Sequence, residues 1–173
     1  MLAFVTVGST RFDSLVQSVL EPSVLASLRR KGYTKLVVQC GNSSFELERS
    51  LAFGARNLTL ERDGVAIELW KFKPTLQEEY ESADLVISHA GSGTILDVLR
   101  LGKPLIVVVN PTLLDNHQQE LASALADLGH LQHSGIPDLA HTIDNFDPSV
   151  LKPFPAFDGS RFANLLDEHM GFS

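Results

Sequence analysis

Apolar positions in this chain fall into two alternating patterns. One is short runs rich in Val, Ile and Leu; the other is longer stretches in which apolar residues recur every three or four positions. The first pattern marks buried strands and the second one-sided helices. Strands are predicted at residues 3–7, 35–40, 57–61, 65–72, 85–88 and 105–109. Helices are predicted at residues 12–30, 46–53, 75–82, 94–101 and 115–128, with a short one within 136–145. In the first of these Leu15, Val16, Val19, Leu20 and Leu28 share a face, and Pro22 kinks the helix or starts a new turn because proline has no backbone N–H. Pro148, Pro153 and Pro155 mark an irregular connector, after which residues 161–169 read as an amphipathic segment. There is no internal repeat and no low-complexity tract.

Strands alternating with helices predict an α/β fold: a Rossmann-like, mainly parallel sheet with helices on both faces. The expected division is a nucleotide-binding domain at residues 1–146, followed by a Pro-containing connector and C-terminal helix at 147–173. In such a sheet, ligands bind outside the carboxyl ends of the strands, where the strand order reverses. Three glycine-bearing loops follow predicted strands: Gly8-Ser9-Thr10, Gly41-Asn42-Ser43-Ser44 and Gly91-Ser92-Gly93-Thr94. All three are expected at that one edge.

Composition narrows the function. With 173 residues the chain has one full core, and its 44% apolar content is that of an ordinary globular domain. A net charge of −7 without a Lys/Arg cluster argues against a nucleic-acid surface. Cys40 is the only cysteine, so there is no disulfide framework and a reducing compartment is the simpler expectation. No apolar run approaches the ~20 residues of a membrane span, and the first residues lack a signal-peptide pattern. A role at a membrane therefore needs something else to bring the chain there.

The loop G-S-G-T carries the chemistry. It fails the P-loop pattern, and it fails G-x-G-x-x-G because Leu96 occupies the third glycine's place. What remains is small residues exposing N–H groups at the start of a helix, a seat for a phosphate or simply a tight turn. Two similar loops at the same edge favour the phosphate. Thr94-x-x-Asp97 reads either as a capping box or as a carboxylate that accepts hydrogen bonds from a ribose. Gln118 and Gln119 begin a helix behind Asp115, where side-chain amides suit a hydroxyl-rich ligand, although Asp115-x-x-Gln118 is cap-like too. Among six histidines, His130 and His133 have H-x-x-H spacing but no further ligand nearby, so no metal site is expected. No D-x-D pair offers a bridge between a divalent ion and a diphosphate, and no G-x-S-x-G elbow offers a nucleophile.

Together, F-V-T-V-G-S-T at 4–10, Q-C-G-N-S-S at 39–44, A-D-L-V-I-S-H-A-G-S-G-T-I-L-D-V-L at 83–99, G-K-P-L-I-V-V-V-N at 102–110 and N-H-Q-Q-E-L-A at 116–122 form an ordered series. The series, which covers about residues 3–130, resembles the C-terminal, donor-binding half of two-domain GT-B nucleotide-sugar glycosyltransferases. In particular it resembles the small catalytic subunits of the UDP-N-acetylglucosamine transferase of dolichol-linked oligosaccharide synthesis, with the bacterial enzymes that make lipid II more distant. The resemblance implies that N-acetylglucosamine passes from UDP to N-acetylglucosaminyl-diphospho-dolichol with inversion, giving a β-1,4-linked chitobiosyl lipid. It implies a heterodimer in which a membrane-anchored subunit binds the acceptor and recruits this cytoplasmic chain to the cytosolic face of the endoplasmic reticulum. No cofactor or metal is implied.

Carried over position by position, Ser92, Gly93 and Thr94 meet the UDP diphosphate, with Gly8, Ser9, Thr10, Gly41, Ser43 and Gly91 in the surrounding loops. Asp97, where relatives often carry Glu, matches the ribose carboxylate; backbone groups around Phe72 and Lys73 match the loop that reads uracil; Gln118 and Gln119 address the sugar and its phosphates. His89 is the one catalytic candidate in the chain, although relatives keep the general base in the acceptor half. Phe162, Leu165 and Leu166 are the expected partner anchors, their alternative being packing on their own domain. Three other readings stand beside this one: a bacterial two-subunit exopolysaccharide glucosyl- or galactosyltransferase, a non-catalytic UDP-binding module, and a nucleotide-dependent oxidoreductase.

Overall fold

The computed structural model describes residues 1–44, 57–110 and 116–156. A seven-stranded sheet runs through its centre, in the order β3-β4-β2-β1-β5-β6-β7. The strands are β1 (Leu2–Thr6), β2 (Lys35–Gln39), β3 (Leu58–Arg62), β4 (Val65–Trp70), β5 (Leu85–His89), β6 (Leu105–Val108) and β7 (Gln132–Ser134). Every neighbouring pair is parallel except β3 with β4. Without the antiparallel edge strand β3, the order is that of a Rossmann sheet, whose strand order reverses between β1 and β5.

The central strands β1, β2, β5 and β6 are buried on both faces because helices cover both. On one face Ala3, Val5, Leu36, Val38, Ile67 and Ile87 pack into a core with α1 (Asp13–Ser18), α2 (Pro22–Arg30) and α6 (Leu139–Asn145). On the other, Phe4, Val37, Trp70, Val86 and Val107 pack with α3 (Gln77–Ser82), α4 (Ser92–Arg100) and α5 (Asn116–Asp127). Each fully buried Leu or Ile here contributes about 1.5–3 kcal/mol of transfer free energy.

The structure redraws several boundaries. The predicted helix over 12–30 is two helices, α1 and α2, because Pro22 starts a new one and Glu21 before it is extended, with ψ of 144°. Helix α4 starts two residues earlier than its apolar spacing indicates: Gly91 is the N-cap, with ψ of 122°, and makes no side-chain cap bond. Thr94 therefore sits inside the first turn, and the capping-box reading of Thr94 and Asp97 falls. Strand β7 has no apolar alternation, so the sequence pattern missed it; it is a short edge strand paired to β6. The helix expected over 46–53 and the C-terminal segment 161–169 lie outside the described residues. Among the described residues no helix is long and apolar enough to cross a membrane.

The connector after α6 packs against the domain. A 3-10 turn (Pro148–Val150) leads to Lys152, whose N–H donates to the Gly129 carbonyl at 2.8 Å. Phe154 then meets the His130 ring edge-on, with centroids 5.3 Å apart.

Candidate functional site

Register decides which side chains meet at the carboxyl edge. Thr6 on β1 is level with Gln39 on β2 and Ser88 on β5, and Gln39 is level with Trp70 on β4. The loops that leave these strands therefore emerge side by side.

The loops after β1 and β2 interlock. A Cβ on Gly41 would lie 2.6 Å from the Gly8 carbonyl oxygen and 2.9 Å from that of Thr10, so only glycine lets the two backbones approach this closely. Asn42 donates through its amide to the Ser9 carbonyl at 2.8 Å, and Thr10 donates its hydroxyl to the Val7 carbonyl at 2.7 Å. Ser43 is fully buried, and its Oγ accepts the Phe12 N–H at 2.9 Å, so it holds the loop from behind. Ser9 is exposed.

The loops after β1 and β5 close around His89. A Cβ on Gly8 would stand 2.8 Å from the His89 ring, and one on Gly91 2.4 Å from its Nε2. The imidazole thus fills the space between the two loops and is only 6% exposed. Burial pushes its pKa below the ordinary value, with the Thr6 backbone opposing that shift, so the ring is neutral near pH 7. Its Nδ1 has no hydrogen-bond partner among the described residues.

Helix α4 begins directly above this ring. Ser92 and Gly93 are exposed, and a Cβ on Gly93 would meet nothing within 4 Å. The protein's own packing accounts for Gly91 but not for Gly93, a residue that costs helix stability where it stands. The first-turn N–H groups of α4 have no intrahelical acceptors and carry the positive end of the helix dipole. Thr94 is half-buried and bonds to the Tyr80 hydroxyl; burial raises the Tyr80 pKa, the Thr94 bond opposes it, and nearby Asp97 pushes it further up. Asp97, three residues further along the helix, is exposed.

The remaining candidates lie on either side. Phe72, after β4, is 55% exposed, the largest aromatic surface among the described residues. Next to it Lys73 pairs with Glu79 and sits 4.5 Å above the centroid of the Trp70 ring. Gln119 is exposed in the first turn of α5, which also contains Gln118 and follows β6. Phe162, Leu165 and Leu166 lie outside the described residues.

One residue at this edge escaped the sequence reading. Gln39 is 2% exposed. Its signals in the sequence are a polar side chain near the end of an apolar strand and its place at the head of Q-C-G-N-S-S.

A Rossmann-like sheet with three glycine loops and a helix N-terminus at its switch point defines a domain of the fold found as one half of GT-B glycosyltransferases. The chain belongs to the glycosyltransferase family 28 C-terminal domain family, whose model matches residues 2–168. It is 42% identical over 128 residues to the UDP-N-acetylglucosamine transferase subunit ALG13 of Homo sapiens, a stretch that is 74% of this chain and 10% of that protein. The chain thus spans about a tenth of the length of that relative. Its fold matches the NMR solution structure of ALG13 with a TM-score of 0.67 at 29% identity, covering 95% of this chain and 94% of that one. It also matches MurG of Acinetobacter baumannii with a TM-score of 0.59 at 21% identity, covering 86% of this chain and 42% of that one, a likeness of fold alone.

Proposed function

We propose that the chain is the donor-binding, catalytic subunit of an inverting glycosyltransferase that moves N-acetylglucosamine from UDP-N-acetylglucosamine to N-acetylglucosaminyl-diphospho-dolichol, forming a β-1,4-linked chitobiosyl lipid. The observation that carries this reading is the open ground above Gly93. The loops after β1 and β5 close around His89 beside an uncapped helix start, and protein packing does not account for the missing side chain at Gly93. A diphosphate on the first turn of α4 accounts for it, because the backbone can then approach the phosphate oxygens without a Cβ between them. The relatives' shared name, a UDP-N-acetylglucosamine transferase subunit, supports the choice of sugar.

In this reading Ser92, Gly93 and Thr94 hold the diphosphate, and Gly8, Ser9 and Thr10 face it from β1. Exposed Phe72 offers a flat face to uracil, Asp97 reaches the ribose, and Gln118 and Gln119 address the sugar. Catalysis is electrostatic: N–H groups already aimed at the diphosphate stabilise the negative charge that grows on the departing UDP, with no need for a metal. The acceptor hydroxyl gives its proton to a base. His89 is enclosed between Gly8 and Gly91, beneath the loops, so the base is assigned to the partner subunit and His89 to support of the loops. That partner is membrane-anchored, binds the lipid acceptor and holds this chain on the cytosolic face of the endoplasmic reticulum. Its contact is assigned to the segment after the connector, through Phe162, Leu165 and Leu166, and the packed connector then gives that segment a fixed starting point.

The test follows labelled N-acetylglucosamine from UDP onto the lipid-linked acceptor, with the chain alone and with the membrane subunit co-expressed. Transfer only with the partner is the expected result. Transfer by the chain alone would put the base here and make His89 the suspect. No transfer by either, with activity on UDP-glucose or UDP-galactose instead, would overturn the assignment.

A further inference from the structure

Gln39 ties together loops that the proposed donor site needs at fixed distances. Its Oε1 accepts the Thr6 hydroxyl at 2.6 Å, and its Nε2 donates to the Gly8 carbonyl at 2.8 Å and to the Lys71 carbonyl at 2.7 Å. The Thr6 hydroxyl in turn accepts the Gly8 N–H at 3.1 Å. The Gly41 N–H also reaches the Lys71 carbonyl, at 3.1 Å. One buried carboxamide therefore links the loop after β1 to the backbone immediately before Phe72, and the loop after β2 ends on the same carbonyl. Both donors and one acceptor position of the amide are used. A flipped amide would face two carbonyls with its oxygen, so the three partners fix its orientation.

The core does not account for this arrangement. A buried apolar side chain in register with Thr6 and Trp70 would continue the row of Val37 below it. It would leave the carbonyls of Gly8 and Lys71 without this partner, since neither belongs to a sheet ladder. The network instead sits where two elements of one ligand site must keep their spacing, and β4 is two strands away from β1.

We propose that Gln39 is a positioning residue of the donor site. Through the Gly8 and Lys71 carbonyls it sets the spacing between the phosphate-facing loop and the base-facing Phe72 loop, so that a nucleoside diphosphate meets both ends in prebuilt geometry. This rests on the donor-site reading above. Such a residue touches no ligand and acts by removing the freedom of the groups that do.

The test measures Kd for UDP and for uridine on the full chain, with melting temperatures alongside, for the wild type, Gln39→Met, Thr6→Val and Thr6→Ser. Gln39→Met keeps the volume and removes the amide; Thr6→Val removes the hydroxyl that orients it; Thr6→Ser restores that hydroxyl. The expected result is a loss of UDP affinity of about tenfold or more in Gln39→Met and Thr6→Val, a smaller loss for uridine, and near wild-type affinity in Thr6→Ser. A structural role alone would lower the melting temperature and leave Kd of the folded protein unchanged. If Gln39→Met does not fold, the Thr6 pair decides. A smaller UDP loss in the folded variants overturns the inference, as does an equal loss for uridine, because Gln39 would then serve one loop and not the spacing of two. A wild-type chain that binds no UDP overturns the donor-site reading itself, and the inference with it.

Discussion

Gly91 and Gly93 stand two residues apart in one loop, and the structure gives them different reasons to be glycine. At Gly91 a Cβ would collide with His89, 2.4 Å from Nε2, whereas at Gly93 it would meet open space. Gly91→Ala is therefore expected to destabilise the fold by about 1–3 kcal/mol, read from a urea titration, since a buried ring must move. Gly93→Ala is expected to leave stability unchanged or raise it by up to about 1 kcal/mol, because alanine favours a helix. Gly93→Val is expected to weaken UDP binding by at least about tenfold, or 1.4 kcal/mol. UDP affinity unchanged in a folded Gly93→Val chain would remove this loop from the site. The sequence offered both residues as one motif, and their separate environments depended on where the His89 ring came to lie.

At the scale of elements, the strands and most helices were legible because their apolar periods differ and burial enforces them. The failures share a cause. Pro22 was visible as a disturbance, but whether it bends a helix or separates two depends on the backbone before it. Apolar spacing starts α4 two residues late because Ser92 and Gly93 are polar or small, and periodicity sees only the buried face. Strand β7 carries so little apolar signal that pairing with β6 alone makes it a strand. A core helix and a site loop also respond differently to mutation. Leu28 in α2 is fully buried and Phe72 after β4 is 55% exposed. Leu28→Ala is expected to cost about 2–5 kcal/mol of stability with UDP affinity of the folded protein intact. Phe72→Ala is expected to change stability by no more than about 0.5 kcal/mol while weakening UDP binding, as denaturation and calorimetric titration together would reveal.

For the whole molecule, pH is the lever that reads the buried site globally. His89 has its pKa lowered from an ordinary 6.5 by burial, so below that pH the unfolded chain takes up a proton that the folded chain refuses. Stability is therefore expected to fall as pH drops from 6.5 toward the folded value, and His89→Gln is expected to flatten that part of a denaturant-midpoint profile. A second decline is expected below 3.8, where Asp13 beside Arg11, Asp144 beside Arg30 and Asp147 bonded to Ser149 are held ionised in the folded state and lose that advantage on protonation. A wild-type profile with no slope just below pH 6.5 would contradict the buried neutral ring. By itself the sequence determined the alternation of strands and helices, hence a parallel sheet, and which loops leave its carboxyl edge, because those follow from periodicity and from glycine's backbone freedom. Only the tertiary structure decided the strand order that sets β1 beside β5, the His89 ring wedged under two glycines and the Gln39 amide joining loops from different strands. Those depend on contacts between residues dozens of positions apart, which no local pattern encodes.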